Sequence, residues 1–412
     1  MTLSSAPEDL GADRPALAGA AEALDWVRLL AEEVGPRRPT SARERLAAER
    51  LVEGLRSRGV KARLEEFRGY ASFSAPFATL MGLAIAPSLL PPRNRLLRSA
   101  LALLSGIGLL SEGSLRITPL SRAMSRRPSQ NVVAEIEPAG EAERTLCILA
   151  HLDSSRSGLI FHPRLVGYLG RWITANSATV AVAAVLEPAI GGSRPGRRLL
   201  GAARAALALS LGLLVERELR GVDVAGANDN ASGCGVVAAL ATEVARSPLA
   251  STRLVVLITG CEEAGTLGAR AFLDAHDTAG WLFLNFDNVG GEGTLRYLRR
   301  EGVIAHWDAD PGLIAAAKGV AGSRSELRME HEDRPAGLTY DASPVLAAGG
   351  RALTLSIQDG SIPNLHWPTD TMENLSVDGV RRALEAGRAM LLAIDSGSAD
   401  QAPAGDSSAS PA

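Results

Sequence analysis

The sequence predicts an α/β protein with a mixed, mostly parallel sheet sandwiched between helices. Residues 146–150 form a continuously apolar strand pattern, which indicates a sheet that is covered on both faces. From Asp229 onward, helical and strand patterns alternate at lengths typical of βα units. With 412 residues, of which 46% are hydrophobic, the chain is long enough to bury a large core.

Taken in order, the chain begins with a helical pattern at 21–34, which Gly35-Pro36 ends. Ser41, with Glu44 three residues later, forms a capping box that opens a helix to about residue 58. The pattern then predicts strands at 61–67, 131–137, 146–153, 253–259, 281–287 and 351–357. Helices are predicted at 233–246, 266–276, 311–319 and 377–394. Ser232 is the expected N-cap of the helix at 233–246.

Composition excludes several classes of function. The net charge of −3 argues against a nucleic-acid partner. The three cysteines show no CxxC spacing, so neither a disulfide framework nor a cysteine zinc site is indicated. Residues 1–20 are acidic and lack an apolar run, so we expect no signal peptide and a cytoplasmic or membrane-associated protein. Residues 397–412 are predicted to be a disordered tail.

Polar residues follow the predicted strands at the points where the strands end. His151 ends one strand, Glu262-Glu263 follow the next, and Asp287 closes a third. His366 comes after the last strand, and Asp229 lies in a loop of small residues before a helix. The carboxyl ends of strands form the ligand crevice of open α/β sheets, so we expect these side chains to meet there. Clustered carboxylates repel one another unless cations compensate their charge.

The donor set suits a pair of divalent ions. Histidine and carboxylate ligands without thiolates are typical of zinc or a similar ion. Two ions about 3.5–4 Å apart can polarise a carbonyl and generate hydroxide at neutral pH. Taken singly, each residue has a simpler explanation, such as a core histidine or a solvated loop pair. Five candidates are enough for two ions if one carboxylate bridges: His151, Asp229, Glu263, Asp287 and His366.

The order His-x-Asp, Asp-Asn-x-Ser-Gly, Glu-Glu, Asp and late His resembles the M28 family of co-catalytic zinc aminopeptidases. The resemblance extends to Gly35-Pro36-Arg37, to Tyr340-Asp341 and to the segment from His366 to Asn374. It covers roughly two-thirds of the chain. It implies the phosphorylase/hydrolase-like zinc peptidase fold. It also implies a zinc-dependent exopeptidase, of aminopeptidase type, that acts on a peptide or aminoacyl substrate.

The resemblance implies a role for each metal ligand. Asp229 would bridge two zinc ions, with His151 and Asp287 completing one site. Glu263 and His366 would complete the other. Cobalt and manganese stay open, because metal availability often decides which ion is bound.

It also implies roles for neighbouring residues. The carboxylate of Asp153 would orient the imidazole of His151. Glu262 would be the general base that takes a proton from a metal-bridging water and passes it to the leaving amine. The peptide bond Asp229-Asn230 is expected to be cis, and Asp341 is a candidate substrate-binding residue.

Two other functions remain open at this point. One is a metallohydrolase of carboxypeptidase or aminoacylase type, acting on a blocked substrate. The other is a non-catalytic, membrane-linked scaffold of the same fold. Products from blocked and free-amine peptides separate the first from an aminopeptidase, and metal stoichiometry separates the second.

Two apolar helical inserts interrupt the peptidase pattern, each built of paired helices with a basic tip. The peptidase domain would comprise 21–70, 127–156 and 222–396, with inserts at 71–126 and 157–221. Arg98, Pro188 and Arg204 interrupt runs that are short against the ~20 residues of a span. Basic tips resist translocation. The sequence therefore favours a lid, an oligomer contact or a surface-lying membrane contact over true spanning.

Overall fold

The computed structural model describes residues 14–334 and 337–399. Its strands are β1 (Arg63–Gly69), β2 (Arg127–Ile136), β3 (Arg144–His151), β4 (Thr252–Thr259), β5 (Leu282–Phe286), β6 (Leu295–Leu298), β7 (Arg300–Glu301), β8 (Trp307–Asp308), β9 (Met329–Glu332) and β10 (Arg351–Ile357). Eight of them form one sheet in the order β1-β2-β4-β3-β5-β10-β6-β9, while β7 and β8 pair separately.

The centre of the sheet is parallel. Strands β4, β3, β5 and β10 run in the same direction, so their carboxyl ends share one edge. β1 and β2 extend the sheet antiparallel on one side, and β6 does so beyond β10. β3 is buried from Leu146 to His151, as its continuous apolar pattern predicts. The predicted mixed, mostly parallel sheet is confirmed.

Helices cover both faces of this sheet. They are α1 (Arg14–Arg28), α2 (Ala42–Ser57), α3 (Ser74–Ile85), α4 (Arg95–Gly113), α5 (Pro119–Met124), α6 (Leu169–Ile190), α7 (Arg194–Arg220), α8 (Gly233–Arg246), α9 (Leu267–Ala275), α10 (Pro311–Ser323), α11 (Ala342–Ala347) and α12 (Val377–Asp395). The larger core lies between the sheet and α1, α2, α8, α10 and α12. The smaller core lies on the other face, against α9 and α11.

The two inserts pack together as one four-helix bundle. α3 contacts α4 and α7, and α6 contacts the same two helices from the opposite side. The interior holds a small apolar cluster. Its buried members are Leu80, Ala84, Leu109, Val180 and Leu207.

The arginines that seemed to interrupt these helices from the sequence lie inside the bundle. Arg98 and Arg204 are both buried, and both pair with Glu187, at 2.9 and 2.7 Å. The sequence-based view that the helices are too short or interrupted is therefore wrong for three of the four bundle helices, while Ser74–Leu89 is shorter than a span. In the part of the chain that the structure describes, three helices are long and apolar enough to cross a membrane, by length and composition alone: Arg95–Gly113, Val166–Ile190 and Arg194–Arg220.

The predicted tail needs a small correction at its start. Residues 397–399 form a turn in which Ala399 is buried against the core, and its carbonyl accepts a hydrogen bond from Arg351. Residues 400–412 of the predicted tail lie outside the described range. Residues 1–13, which belong to the segment for which no signal peptide is expected, also lie outside it.

Arg37 ties together the segments that surround the sheet edge. Its buried guanidinium donates to the carbonyl of Leu152, just beyond β3, and to those of Ala225 and Gly226. It also donates to Leu30 and Gly35. The segments on both sides of the sheet edge are thus bonded to one planar guanidinium group. A lysine ammonium cannot make the same set of hydrogen bonds.

We therefore expect Arg37→Lys to lower the free energy of unfolding by about 2–4 kcal/mol, because it leaves buried carbonyls without donors. Urea unfolding measures this loss. Arg50→Lys, at an exposed position on α2, is the matched control and should stay within about 0.5 kcal/mol of the parent. An Arg37→Lys protein as stable as this control would contradict the role given to Arg37.

Candidate metal centre

Five predicted ligands converge at the carboxyl edge of the parallel strands. His151 is the last residue of β3, and Asp287 directly follows β5. Glu263 lies four residues beyond β4, and His366 comes from the segment after β10. Asp229 reaches the same place from the loop before α8. All five side chains are buried.

Asp229 stands between the two histidines. Its Oδ1 lies 3.2 Å from His151 Nε2, and its Oδ2 lies 3.1 Å from His366 Nε2. His151 Nε2 is also 3.5 Å from Asp287 Oδ2, and His366 Nε2 is 3.1 Å from Glu263 Oε2. The residues therefore form two groups, each with its donor atoms within 4.8 Å of one another, and Asp229 belongs to both.

Hydrogen bonds to neighbouring segments hold the Asp229 loop. The Asp229-Asn230 peptide bond is cis, as the resemblance implies. The carboxylate of Asp370 accepts the backbone N–H groups of Asn228 and Asp229, at 2.7 and 3.1 Å. The side chain of Asn230 donates to the carbonyl of Phe286 at the end of β5. These contacts fix the carboxylate of Asp229 relative to β5.

The predicted N-cap of α8 is wrong. The Ser232 hydroxyl donates to the carbonyl of Asn228 and accepts the N–H of Val289. Asn230 Oδ1 accepts the N–H of Gly233 instead, at 3.0 Å. Ser232 therefore joins the loop to the segment after β5 and leaves the capping to Asn230.

Asp153 has a different task from the one predicted. Its carboxylate accepts the backbone N–H groups of Glu262 and Glu263, both at 3.0 Å. His151 Nδ1 lies 3.1 Å from the backbone carbonyl of Asp153 but 3.8 Å from its carboxylate. The carbonyl thus orients the imidazole, and the carboxylate positions the Glu262-Glu263 turn.

Glu44 supports that turn from the other side, which the sequence reading missed. Ser41 Oγ accepts the Glu44 N–H as the capping box predicts, but the Glu44 carboxylate bonds Thr40 N–H rather than Ser41. It also accepts the N–H of Cys261, next to Glu262, at 3.0 Å. Burial and the charge of Asp153 raise the pKa of Glu44 to about 8.

The pKa values reflect how closely the charges are packed. Burial raises the pKa of Asp287, and it raises that of Glu262 well above its ordinary value. Burial alone would lower the pKa of the histidines, but the charge of Glu263 and the bond to Asp229 raise that of His366 to about 9. The contacts of His151 with Asp229 and Asp287 likewise raise its pKa well above normal. Despite burial, both histidines hold the pKa of Asp229 below its ordinary range.

The donor set fits two divalent cations. Its atoms are imidazole nitrogen and carboxylate oxygen, the ligands of catalytic zinc sites. Among the described residues, Glu263 Oε1 is buried and has no hydrogen-bond partner, which leaves an acceptor that a cation would satisfy. Cations would also replace the protons that the crowded cluster otherwise retains.

Glu262 belongs to neither ligand group. Its Oε2 lies 3.9 Å from His151 Nε2, and its side chain lines the same cavity as the ligands. It is therefore a carboxylate that lies beside the metal centre without being one of its ligands.

The comparison with known families agrees with this arrangement. The sequence model of Peptidase family M28 matches residues 212–391, which carry Asp229, Glu262, Glu263, Asp287 and His366. Residues 212–391 of the chain therefore belong to peptidase family M28. Members of M28 are metallohydrolases, and peptides are the substrates that the family implies. No curated protein matches the chain.

Solved structures share the M28 fold at low identity. The zinc aminopeptidase BSAP of Bacillus subtilis is 14% identical, with a TM-score of 0.54 over 90% of this chain and 93% of its own. Porphyromonas gingivalis glutaminyl cyclase is 15% identical, with a TM-score of 0.54 over 91% of this chain and 97% of its own. The Legionella pneumophila LapA aminopeptidase is 12% identical, with a TM-score of 0.52 over 96% of this chain and 77% of its own.

An apolar cavity of about 220 Å³ runs from the metal centre towards the bundle. Phe161, from the second insert, packs edge-on against the His366 ring at 4.3 Å between centroids. The remaining apolar lining comes from all four bundle helices and the segments beside them. It includes Phe77, Leu80, Met81, Leu109, Ile173, Val180 and Leu214.

Tyr340 lines this cavity, whereas Asp341 does not lie among its lining residues. Asp341 is buried, and Thr259 donates a hydrogen bond to its carboxylate at the end of β4. Burial raises the pKa of Asp341 to about 7. Its predicted role in substrate binding stays a prediction.

Proposed function

We propose that this protein is a zinc aminopeptidase that removes apolar N-terminal residues from peptides. The observation that carries the proposal is that two groups of histidine and carboxylate ligands share the carboxylate of Asp229. Glu262, which is a ligand in neither group, lies beside them. Two zinc ions bound there would polarise the scissile carbonyl and lower the pKa of water.

The residues of the chain supply the proton transfers. Glu262 takes the proton of the attacking water and gives it to the nitrogen of the leaving amine as the C–N bond breaks. A pKa raised by burial suits a group that accepts a proton and then returns it. Asp153 and Glu44 hold the backbone of this turn, so the Glu262 carboxylate keeps its position during the reaction.

The cavity supports action at a chain end and a preference for apolar residues. A cavity of about 150 Å³ lined by Leu, Ile and Phe side chains holds benzene, so 220 Å³ has room for one large apolar side chain. The scissile bond would therefore lie one residue from the end of the substrate.

The test uses the purified full chain, with zinc supplied, on arylamides of Leu, Phe, Ala and Lys. We expect release of arylamine with kcat/KM highest for Leu or Phe, loss of activity on chelation and its return with zinc. N-acetyl-Leu arylamide is the matched control and should not be cleaved.

Product analysis on peptides separates the alternatives. Cleavage of only N-blocked substrates, or release from the carboxyl end, would replace the proposal with an aminoacylase or carboxypeptidase. Loss of ammonia from Gln-initiated peptides without hydrolysis would indicate cyclisation, the activity named for one of the structural neighbours. Fewer than about one bound metal per chain together with no turnover would favour a scaffold.

A further inference from the structure

The outer surface of the four-helix bundle is apolar. Leu96 on α4, Val185 on α6 and Leu209 on α7 are 90%, 70% and 71% exposed. Other exposed apolar side chains lie on the same three helices: Leu97, Leu103, Leu104, Ile107, Leu110, Val182, Leu199, Val215 and Leu219. Of the most apolar 18-residue stretch of each helix, only 28–33% is buried inside the chain. Apolar surfaces of this kind mark protein or membrane contacts.

Charged side chains avoid this surface between its two ends. Residues 96–113, 172–190 and 199–215 contain four charged residues, and all four are buried. They are Arg98, Glu112, Glu187 and Arg204. Three of them form the ion-pair cluster centred on Glu187. Ionisable groups of proteins in lipid likewise face the bundle interior and pair with one another.

Two hydrogen bonds of polar side chains join the bundle helices from inside. Ser210 donates to the amide oxygen of Asn176 at 2.8 Å, and both residues are buried. Ser105 donates to the carbonyl of Leu80 at 2.7 Å. Inter-helical hydrogen bonds between small polar residues inside, with Leu, Ile and Val outside, are typical of helices packed in lipid.

The dimensions of the uncharged surface suit a bilayer. At a rise of 1.5 Å per residue, the uncharged outer stretches of α4, α6 and α7 are roughly 25–29 Å long. The hydrocarbon core of a bilayer is about 30 Å thick. The apolar band therefore has nearly the height of that core.

The distal end of the bundle is basic. The two inter-helix tips lie together, since Arg95 of the first packs beside Gly192 of the second. Both carry arginines and neither carries an acidic residue: Arg93, Arg95, Arg194, Arg197 and Arg198. Arginine at the edge of an apolar band complements the anionic phosphates of lipid headgroups.

We propose that the bundle inserts tip-first into a lipid bilayer, with the peptidase domain outside the hydrocarbon, rather than lying on the membrane surface as the sequence alone favours. A second copy of this chain is the competing occupant. The exposed apolar residues, however, lie on three of the four helices rather than in one flat patch, so a single partner copy would leave much of them in water. Lipid surrounds all three helices at once. The inference does not rest on peptidase activity.

The test is flotation of the full-length protein with vesicles of phosphatidylcholine containing a fraction of phosphatidylglycerol. We expect the parent protein to float and to stay bound after a carbonate wash. A triple variant, Leu104→Glu, Val185→Glu and Leu209→Glu, should lose at least tenfold in bound fraction, because each acid would enter the hydrocarbon. The matched control places the same charges on exposed positions of the peptidase domain (Leu46→Glu, Val377→Glu and Leu392→Glu) and should float like the parent.

Labelling tests the direction of insertion. The three native cysteines are buried, so Pro92→Cys at the tip and Ser57→Cys on α2 each introduce one exposed thiol. A membrane-impermeant maleimide should label both in detergent, but only Ser57→Cys in vesicles. The proposal is overturned if the parent protein does not bind vesicles, whether it is monomeric or dimeric, or if carbonate releases it from them. Undiminished labelling of Pro92→Cys in vesicles would also overturn it. Thermal melts of both triple variants in detergent check that they fold.

Discussion

Replacing Glu262 by Gln is expected to lower kcat by about 10²–10⁴-fold, the usual contribution of a general base. Gln keeps the shape of the side chain but cannot take a proton from water. Glu262 belongs to neither ligand group, so bound metal and KM should change little. The backbone of the turn should also keep its place, since Asp153 and Glu44 bind its N–H groups rather than its side chains.

Two comparisons make this result specific to proton transfer. Glu263→Gln, at the adjacent position, should lose metal as well as activity, because Glu263 is in a ligand group. Glu292→Gln, at an exposed position, should behave like the parent enzyme. A Glu262→Gln enzyme that keeps more than a tenth of the parent kcat, or one that fails to bind metal, would remove Glu262 from the role of base.

The sheet and the ligands could be predicted because local patterns encode them. β3 is apolar at every position from Leu146 to Ala150, and a parallel strand buried on both faces produces that run. Three of the ligands, His151, Glu263 and Asp287, then lie at or just after a strand end, where parallel strands bring distant residues to one edge. The short strands β6 and β9 could not be predicted, because Arg296 and Glu330 break their apolar pattern over four residues each.

The residues that position the site left no comparable signal. Arg37 bonds carbonyls 115 and 189 residues away, and Glu44 bonds an N–H 217 residues away. Their partners are backbone atoms, which have no residue type to recognise. The capping-box pattern of Ser41 and Glu44 correctly predicted where the helix starts. It gave no indication that the Glu44 carboxylate also accepts the N–H of Cys261. The same holds for the bundle, where Arg98 and Arg204 interrupt the apolar pattern of the sequence but pair with Glu187 on another helix in the structure.

Replacing Asp229 by Asn is expected to remove both metal ions, whereas replacing a ligand of one group should remove one. Asp229 offers Oδ1 to the His151 group and Oδ2 to the His366 group. An amide has one carbonyl oxygen and no negative charge, so it cannot serve two cations. The bound metal measured after dialysis against zinc should therefore fall from near two per chain to near zero for Asp229→Asn. It should fall to near one for Asp287→Asn and for Glu263→Gln.

The graded stoichiometry matters because loss of activity alone would not distinguish a bridging ligand from a damaged fold. Asp277→Asn, at an exposed position, is the matched control and should keep both ions. Thermal unfolding with and without chelator supplies a second measure. Zinc should raise the melting temperature of the parent, raise that of the single-group variants less, and leave that of Asp229→Asn unchanged, because a ligand stabilises only the fold that binds it. One ion retained by Asp229→Asn would show that the two groups bind independently, and the shared position of Asp229 would then not be a bridge.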